Sequence, residues 1–259
     1  MNVVIDKEQL EPYIIYDKSI RYDEKITLYP IKMKNIVDFQ LFQTAITVRK
    51  DAIFQDKKVI KMGYFEFIKY AALNPDSIYN NELPLLSLFY SIIVQMLPII
   101  CGEQSSVKYN NQTLDVYIND ELITDQIFDD LRRIIIIQND IDFNIDEFMN
   151  IDTVHALEKA RAFEAKKNKE KFSIEDYIDS LAIELKVTND YIENLTIRKF
   201  WRYIKRINKR DQYEACLNGQ MSGMVTFKEP IEHWMTSLEI TYKYEDLKAN
   251  EEELRGKIG

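Results

Sequence analysis

The chain has 259 residues and a formal net charge of −9, with 46% hydrophobic and 30% charged residues. The apolar share excludes wholesale disorder, and six glycines with six prolines are too few for the many tight turns of a sandwich or barrel. The composition therefore predicts a mainly α, bundle-like fold with small antiparallel β elements near the N-terminus and around residues 107–118, an α+β fold being the alternative.

In chain order, MNVVIDKEQL lacks the basic and apolar regions of a signal peptide. PYIIYDKSI (12–20) and KITLYPI (25–31) are rich in Ile and Tyr and are broken by Asp17–Lys18 and Asp23–Glu24. They predict a small antiparallel sheet, with Pro30 ending its second strand. From Asn35, a plausible N-cap, the spacing of Ile36, Val37, Phe39, Leu41 and Ile46 predicts a helix. MGYFEFIKYAALNP (62–75) predicts another, with Phe65, Ile68, Ala72 and Leu73 on one side and a stop before Pro75.

LPLLSLFYSIIVQMLPIICG (83–102) runs twenty residues without a charge. Length alone would allow a membrane span. Pro84 and Pro98 limit the uninterrupted helix, the flanking Glu82 and Glu103 give no cationic anchor, and Gln95 sits near the middle. A buried core helix is the reading that fits. VKYNNQTLDVYIND (107–120) alternates around Asn110–Asn111 and predicts a hairpin. TDQIFDDLRRIIIIQND (124–140) returns to helical spacing, with Asp125, Asp129 and Asp130 at its start and four isoleucines that imply burial on more than one side.

Residues 138–151 form an acidic, Asn-rich connection, and the charged run at 165–171 is the candidate linker. The organisation read from this is an N-terminal domain (1–150) and a C-terminal helical domain (151–259). In the second, TVHALEKARAFEAKKNKEK (153–171) is amphipathic, and SIEDYIDSLAIELKV (173–187) opens on an imperfect Ser173/Asp176 capping box. NLTIRKFWRYIKRINKRDQYEACL (194–217) has Thr196 as N-cap and Gly219 as its closing residue. FKEPIEHWMTSLE (227–239) predicts a further helix with Pro230 in its first turn, and the tail 244–259 a charged helix.

Local signatures of catalysis are lacking. His155 and His233 have no ligand at metal spacing, and no glycine cluster forms a phosphate loop. DIDFNIDEFMNI (140–151) fails as a calcium loop, with Ile145 where Gly is required and Ile151 where Glu is required. The pairs Asp129–Asp130 and Asp146–Glu147 read as helix-start or solvated residues. Cys101 and Cys216 show no disulfide framework and suit two thiols in a reducing compartment. The reading is of a non-enzymatic chain with no metal and no cofactor.

RKFWRYIKRINKR (198–210) carries seven cations among thirteen residues and no acid. On a helix, Ile197, Phe200, Trp201, Ile204 and Ile207 make an apolar stripe. Arg198, Arg202, Lys205 and Lys209 border it on one flank and Lys199, Arg206 and Arg210 on the other. Three readings stay open: flanks paired within the chain, a protein-partner face, or a nucleic-acid grip. An isoelectric point near 5.0 disfavours the last. The basic flanks lie near aromatic and Met side chains suited to binding apolar helices. Arg198, Trp201, Arg202, Lys205, Arg206, Met224 and Trp234 are therefore the candidate partner-binding residues, with simple core packing as the competing role for the two tryptophans.

The segment YIENLTIRKFWRYIKRINKRDQYEACLNGQMSGMVTFKEPIEHWM (191–235), together with ITLYPIKMKNIVDFQ (26–40), resembles the tail assembly chaperones of tailed, myophage-like bacteriophages of low-GC Gram-positive hosts. The resemblance covers chiefly residues 26–73 and 190–238 and rests on diffuse patterns. It implies a non-enzymatic protein of the host cytoplasm that binds the tape measure protein and helps recruit tail-tube subunits. It implies neither a nucleic-acid nor a membrane partner, and self-association stays open. A structural tail or baseplate component of the virion, or a nucleic-acid-binding regulatory protein, are the alternatives.

Overall fold

A computed structural model describes residues 7–54, 56–77, 83, 85–145, 172–223 and 225–238. The predicted helix at 153–171, the linker run at 165–171, His155, Pro84 and the charged tail lie outside the described residues. The fold is mainly α, with antiparallel sheets of two and three strands.

Helix α1 spans Lys7–Ile15. This corrects the extended reading of residues 12–15. Leu10 and Ile14, one helical turn apart, are both buried, so the period that matters here is four and not two. Strand β1 (Ile20–Arg21) pairs antiparallel with β2 (Thr27–Leu28), placing Ile20 opposite Leu28. The Asp23 carboxylate closes the turn between them by accepting the Lys25 and Ile26 amides.

The segment after β2 ties together elements that are distant in sequence. The Tyr29 amide donates to the Ile100 carbonyl at 2.7 Å, and the Met33 amide to the Leu195 carbonyl at 2.9 Å. The Ile31 amide donates to the Asn139 side chain at 3.2 Å, and its carbonyl accepts from Ile197 at 2.9 Å. Three remote chain segments therefore meet on the five residues 29–33, with Pro30 at a position where its missing N–H costs nothing.

A 3₁₀ turn at Met33–Asn35 leads into α2 (Ile36–Ile46). Asn35 occupies the N-cap position, although its side chain makes no capping bond. Short helices α3 (Lys50–Ile53) and α4 (Lys57–Lys61) precede α5 (Tyr64–Leu73), which ends before Pro75. Its buried face is Tyr64, Phe65, Phe67, Ile68 and Ala71. Leu73, expected on that face, is exposed, one position past the last residue the core covers. The start of α5 is capped from elsewhere: the Asp125 carboxylate accepts the Glu66 amide at 2.9 Å. Gly63 makes room for it, since a Cβ there would lie 2.4 Å from that carboxyl group.

Helix α6 (Phe89–Cys101) follows a 3₁₀ turn at Leu86–Leu88 and packs along α2. Pro98, read from sequence as a limit, lies inside it. Leu97, Ile100 and Cys101 are buried and hold the last turn in place while the Pro98 ring faces solvent. Among the described residues no helix is long and apolar enough to cross a membrane. Cys101 and Cys216 are both free, and burial pushes the Cys101 thiol up to about 12.

Strands β3 (Val107–Tyr109), β4 (Val116–Ile118) and β5 (Glu121–Leu122) form the second sheet in that order. The first connection is a six-residue loop whose left-handed residue is Leu114 and not an asparagine. The second is a tight turn at Asn119–Asp120, both with positive φ, the form that matches the twist of a hairpin.

Helix α7 (Asp125–Gln138), capped by the Thr124 hydroxyl, is buried on several sides, as four consecutive isoleucines require. It also carries a cation into the core. Arg132 is 5% exposed. Its Nε donates to the Ile46 carbonyl, its guanidinium lies 3.6 Å from the Tyr64 ring centroid, and its Nη1 is 3.6 Å from Asp129 Oδ1. The Tyr64 hydroxyl donates to the Ala45 carbonyl at 2.9 Å and accepts the Val48 amide at 3.1 Å. The reading of Asp129 as a helix-start or solvated acid is thereby corrected. Its Oδ1 is buried against Arg132, although much of the side chain reaches solvent, and burial raises its pKa. Asp130 accepts the Tyr22 hydroxyl at 2.9 Å.

Helices α8 (Ile174–Leu185) and α9 (Asn189–Asn194) lead to α10 (Ile197–Met221). The capping box of α8 forms in full, with Asp176 in the place usually taken by Glu. Helix α10 runs through Gly219, the closing residue expected from the sequence, and ends two residues later: Ser222 is the C-cap and Gly223, at φ 72°, supplies the left-handed residue. Residues 230–238 are irregular instead of helical. The carbonyls that a helix there would use internally are taken by cations of α10. One buried hydrophobic cluster runs from Leu10 to Ile204 and includes Leu181, Ile192, Ile197 and Phe200.

Candidate partner-binding helix

Twenty-five residues make α10 about 37 Å long at ~1.5 Å per residue. Its buried residues, Ile197, Phe200 and Ile204, all lie in the first third. The apolar stripe read from sequence is thus confined to the end anchored in the core. The rest of the helix stands away from it.

The cations of this helix divide into three groups. At its start, Arg198 Nη1 donates to the Ile14 carbonyl at 3.1 Å, and Lys199 Nζ to the Ile15 carbonyl at 3.3 Å. These are the last carbonyls of α1, where the helix dipole favours positive charge. Lys199 also lies 3.9 Å from Asp17, whose other oxygen accepts the Thr196 hydroxyl at 3.0 Å. Burial, and then the like charge of Arg202, lower the pKa of Arg198.

In the middle, Lys205 lies 3.8 Å from Asp140. Arg202 is half-buried and makes no hydrogen bond or ion pair among the described residues. Further out, Arg206 donates to the Trp234 and Thr236 carbonyls, and Lys209 to Glu232 at 3.3 Å and to the Ser237 carbonyl at 3.0 Å. Hydrogen bonds from Thr236 and Lys209 hold Glu232 below the usual carboxylate range. Arg210 reaches Glu184 of α8 at 2.8 Å, and the hydrogen bonds to Glu184 and Asp211 raise its pKa.

Together the outer contacts describe a strap. After Gly223 the chain turns and residues 225–238 run back along α10. Val225 lies beside Gly219, the His233 ring meets Tyr213 edge-on at 5.1 Å, and Trp234 and Thr236 reach Arg206. The strap meets α10 through backbone carbonyls, Glu232, Val225 and the His233 ring, and the exposed residues of the strap and of the end of α10 include apolar ones beside charged ones. Met221 is 80% exposed and Met235 67%, with Val225 and Phe227 also exposed.

Of the candidate partner-binding residues, Arg198 is committed to α1, Lys205 to Asp140 and Arg206 to the strap. Trp201 packs edge-on against Tyr177 of α8 at 5.2 Å and Phe200 at 5.1 Å. Trp234 is half-buried in the strap, with its carbonyl on Arg206. Met224 lies outside the described residues. The internal contacts of Lys199 and Lys209 fit one of the three readings left open for the basic flanks, whereas Glu232 as a structural contact, and Phe227 and Met235 as exposed apolar groups, go unforeseen. A helix assigned to 227–239 hid these three, because it supplied a false register for every side chain in the segment.

No curated protein and no solved structure matches the chain. A family model described as the YomV second domain matches residues 166–239, the stretch that holds α8, α9, α10 and the strap, and because that family is phage-derived the match is consistent with a phage protein.

Proposed function

We propose that the chain is a bacteriophage tail assembly chaperone. In this reading it acts without catalysis or cofactor in the host cytoplasm, binds the long helical tape measure protein and helps recruit tail-tube subunits. The observation that carries the reading is the outer end of α10 with its strap. Met221, Val225, Phe227 and Met235 stand exposed there, on a part of the molecule that the phage-derived family match covers. Flexible thioethers and an aromatic ring adapt to varied apolar helix faces, which is what holding a long, repetitive helical client requires. Arg202 adds a cation with no partner among the described residues, placed to meet an acid on the client. The other basic residues are occupied with the chain's own carboxylates and carbonyls. That weighs against a nucleic-acid grip, which needs cations free to displace counterions.

The test is co-expression with the tape measure protein. The chaperone reading expects the client to become soluble and to co-purify with the chain, and the Met221→Ser, Met235→Ser double variant to lose that yield while keeping its own melting temperature. Failure to co-purify, or recovery of the chain as a stoichiometric component of purified virions, overturns it. The second result would favour a structural tail or baseplate role.

A further inference from the structure

Two segments lie on the cations of α10, held by the same chemistry but anchored very differently. Arg198 and Lys199 take the Ile14 and Ile15 carbonyls of α1, and α1 is fixed in the core by its buried Leu10 and Ile14. Arg206 and Lys209 take the carbonyls of Trp234, Thr236 and Ser237, with the Glu232 carboxylate also on Lys209. In the strap, none of residues 225–238 is buried and none belongs to the hydrophobic cluster; Ile231, Trp234 and Leu238 are half-buried and the rest exposed. Hydrogen bonds to solvent-reached cations contribute little each, because water offers the same partners. A segment held mainly by such bonds belongs to the low end of local stability.

The face beneath the strap is better defined than the strap itself. Arg206, Lys209, Tyr213, Cys216 and Gly219 are all half-buried, and at ~100° per residue they fall within one arc of about 140° on the helix. What this face recognises can be read from its present occupant. Two cations meet main-chain carbonyls and one carboxylate, and the Tyr213 ring meets an aromatic edge. These are groups that any extended acidic segment with an aromatic side chain can supply.

We propose that the strap is a removable, autoinhibitory cover. It occupies the 206–219 face of α10 in the free protein and yields it to a partner segment bearing the same groups: an extended acidic peptide with an aromatic ring. The cover is a property of the chain alone. Its test uses no tape measure protein, so this proposal and the chaperone reading can fail separately.

A fluorescent peptide copying residues 225–238 is the probe, since it carries the strap's own chemistry. A tethered segment acts at an effective concentration of ~1 mM, so against a peptide dissociation constant of ~100 μM the strap in place weakens the peptide by about tenfold. In the full chain, Glu232→Ala with Trp234→Ala removes strap contacts and leaves the α10 face intact. The peptide should bind this opened variant about tenfold more tightly than the wild type. Adding Arg206→Ala and Lys209→Ala should abolish that binding. A peptide copy carrying Glu232→Lys should bind the opened variant at least about tenfold more weakly, because it sets a cation against Lys209. Both full-chain variants should melt like the wild type, the strap lying outside the buried cluster. Equal binding to the wild type and the opened variant overturns the proposal, as does no binding to the opened variant. Binding that survives loss of both cations, or that the charge-reversed peptide matches, overturns it as well.

Discussion

Replacing Tyr64 by Phe isolates the polar part of the core around Arg132. The ring stays, and with it the parallel stack on Phe128, the guanidinium contact and nearly all the packed volume. Only the hydroxyl goes, and it serves two backbone groups, the Ala45 carbonyl and the Val48 amide. Both lie in buried surroundings, and an unsatisfied buried group costs about 1–3 kcal/mol. The expected loss is therefore about 2–4 kcal/mol, a fall in melting temperature of roughly 5–15 °C for a chain of this size. Urea unfolding should show a lower midpoint at unchanged slope. The same variant has a signature at alkaline pH. Burial pushes the Tyr64 hydroxyl from 10.0 to about 12. Its protonated form is thus favoured in the folded state. The stability it contributes is complete below pH 10 and is lost as pH rises towards 12. Over that interval one such tyrosine lowers stability by about 1.4 kcal/mol per pH unit. Tyr22 and Tyr90, also raised to about 12, add to the same alkaline loss. Tyr64→Phe should therefore unfold earlier at neutral pH yet decline less steeply above pH 10. A loss below about 0.5 kcal/mol, or an unchanged alkaline slope, would refute the assigned role of the hydroxyl.

Three further outcomes are expected. Arg132→Met should cost about 1–3 kcal/mol near neutral pH, because it leaves the Ile46 carbonyl without its donor and the Oδ1 of Asp129, on a side chain that solvent partly screens, without its cation. The penalty should fade as pH falls through the raised pKa of that acid, which urea titrations at several pH values would record. Gly63→Ala and Asp125→Ala should each cost about 1–2 kcal/mol through loss of one cap, and the double variant little more than either alone. Full additivity in chemical denaturation would show that the cap is not shared. Arg206→Ala should free the strap, raising the rate of limited proteolysis within 225–238 while the melting temperature of the core stays put, and an unchanged cleavage rate would count against that anchor.

Where a helix buries one stripe, its sequence declares it. The helices at 36–46, 64–73, 89–101, 125–138, 174–185 and the start of α10 follow from apolar spacing and from caps at Thr124, Ser173 and Thr196. The failures share a cause. Residues 12–15 contain β-favouring Ile and Tyr, but docking on the core selects the four-residue period of Leu10 and Ile14. Pro230 could open a helix, but the carbonyls of the following residues bond to α10. Asp129 looks like a helix-start acid until Arg132, one turn on, is found folded inward. In each case a partner remote in sequence decides, and no local pattern records it.

The candidate site divides in the same way. The sequence by itself determined that 198–210 is a helix whose cations flank an apolar stripe, and that 83–102 is uncharged. Both follow from residue type and a fixed helical period. Which partner each cation takes was decided by the tertiary structure. The end of α1, Asp140, Glu184 and the strap converge on α10 from separate parts of the chain, and they leave the half-buried Arg202 without a polar partner among the described residues and Met221 and Met235 exposed. A charge carries its sign in the sequence, but an ion pair is a distance, and distances between remote residues exist only once the chain has folded.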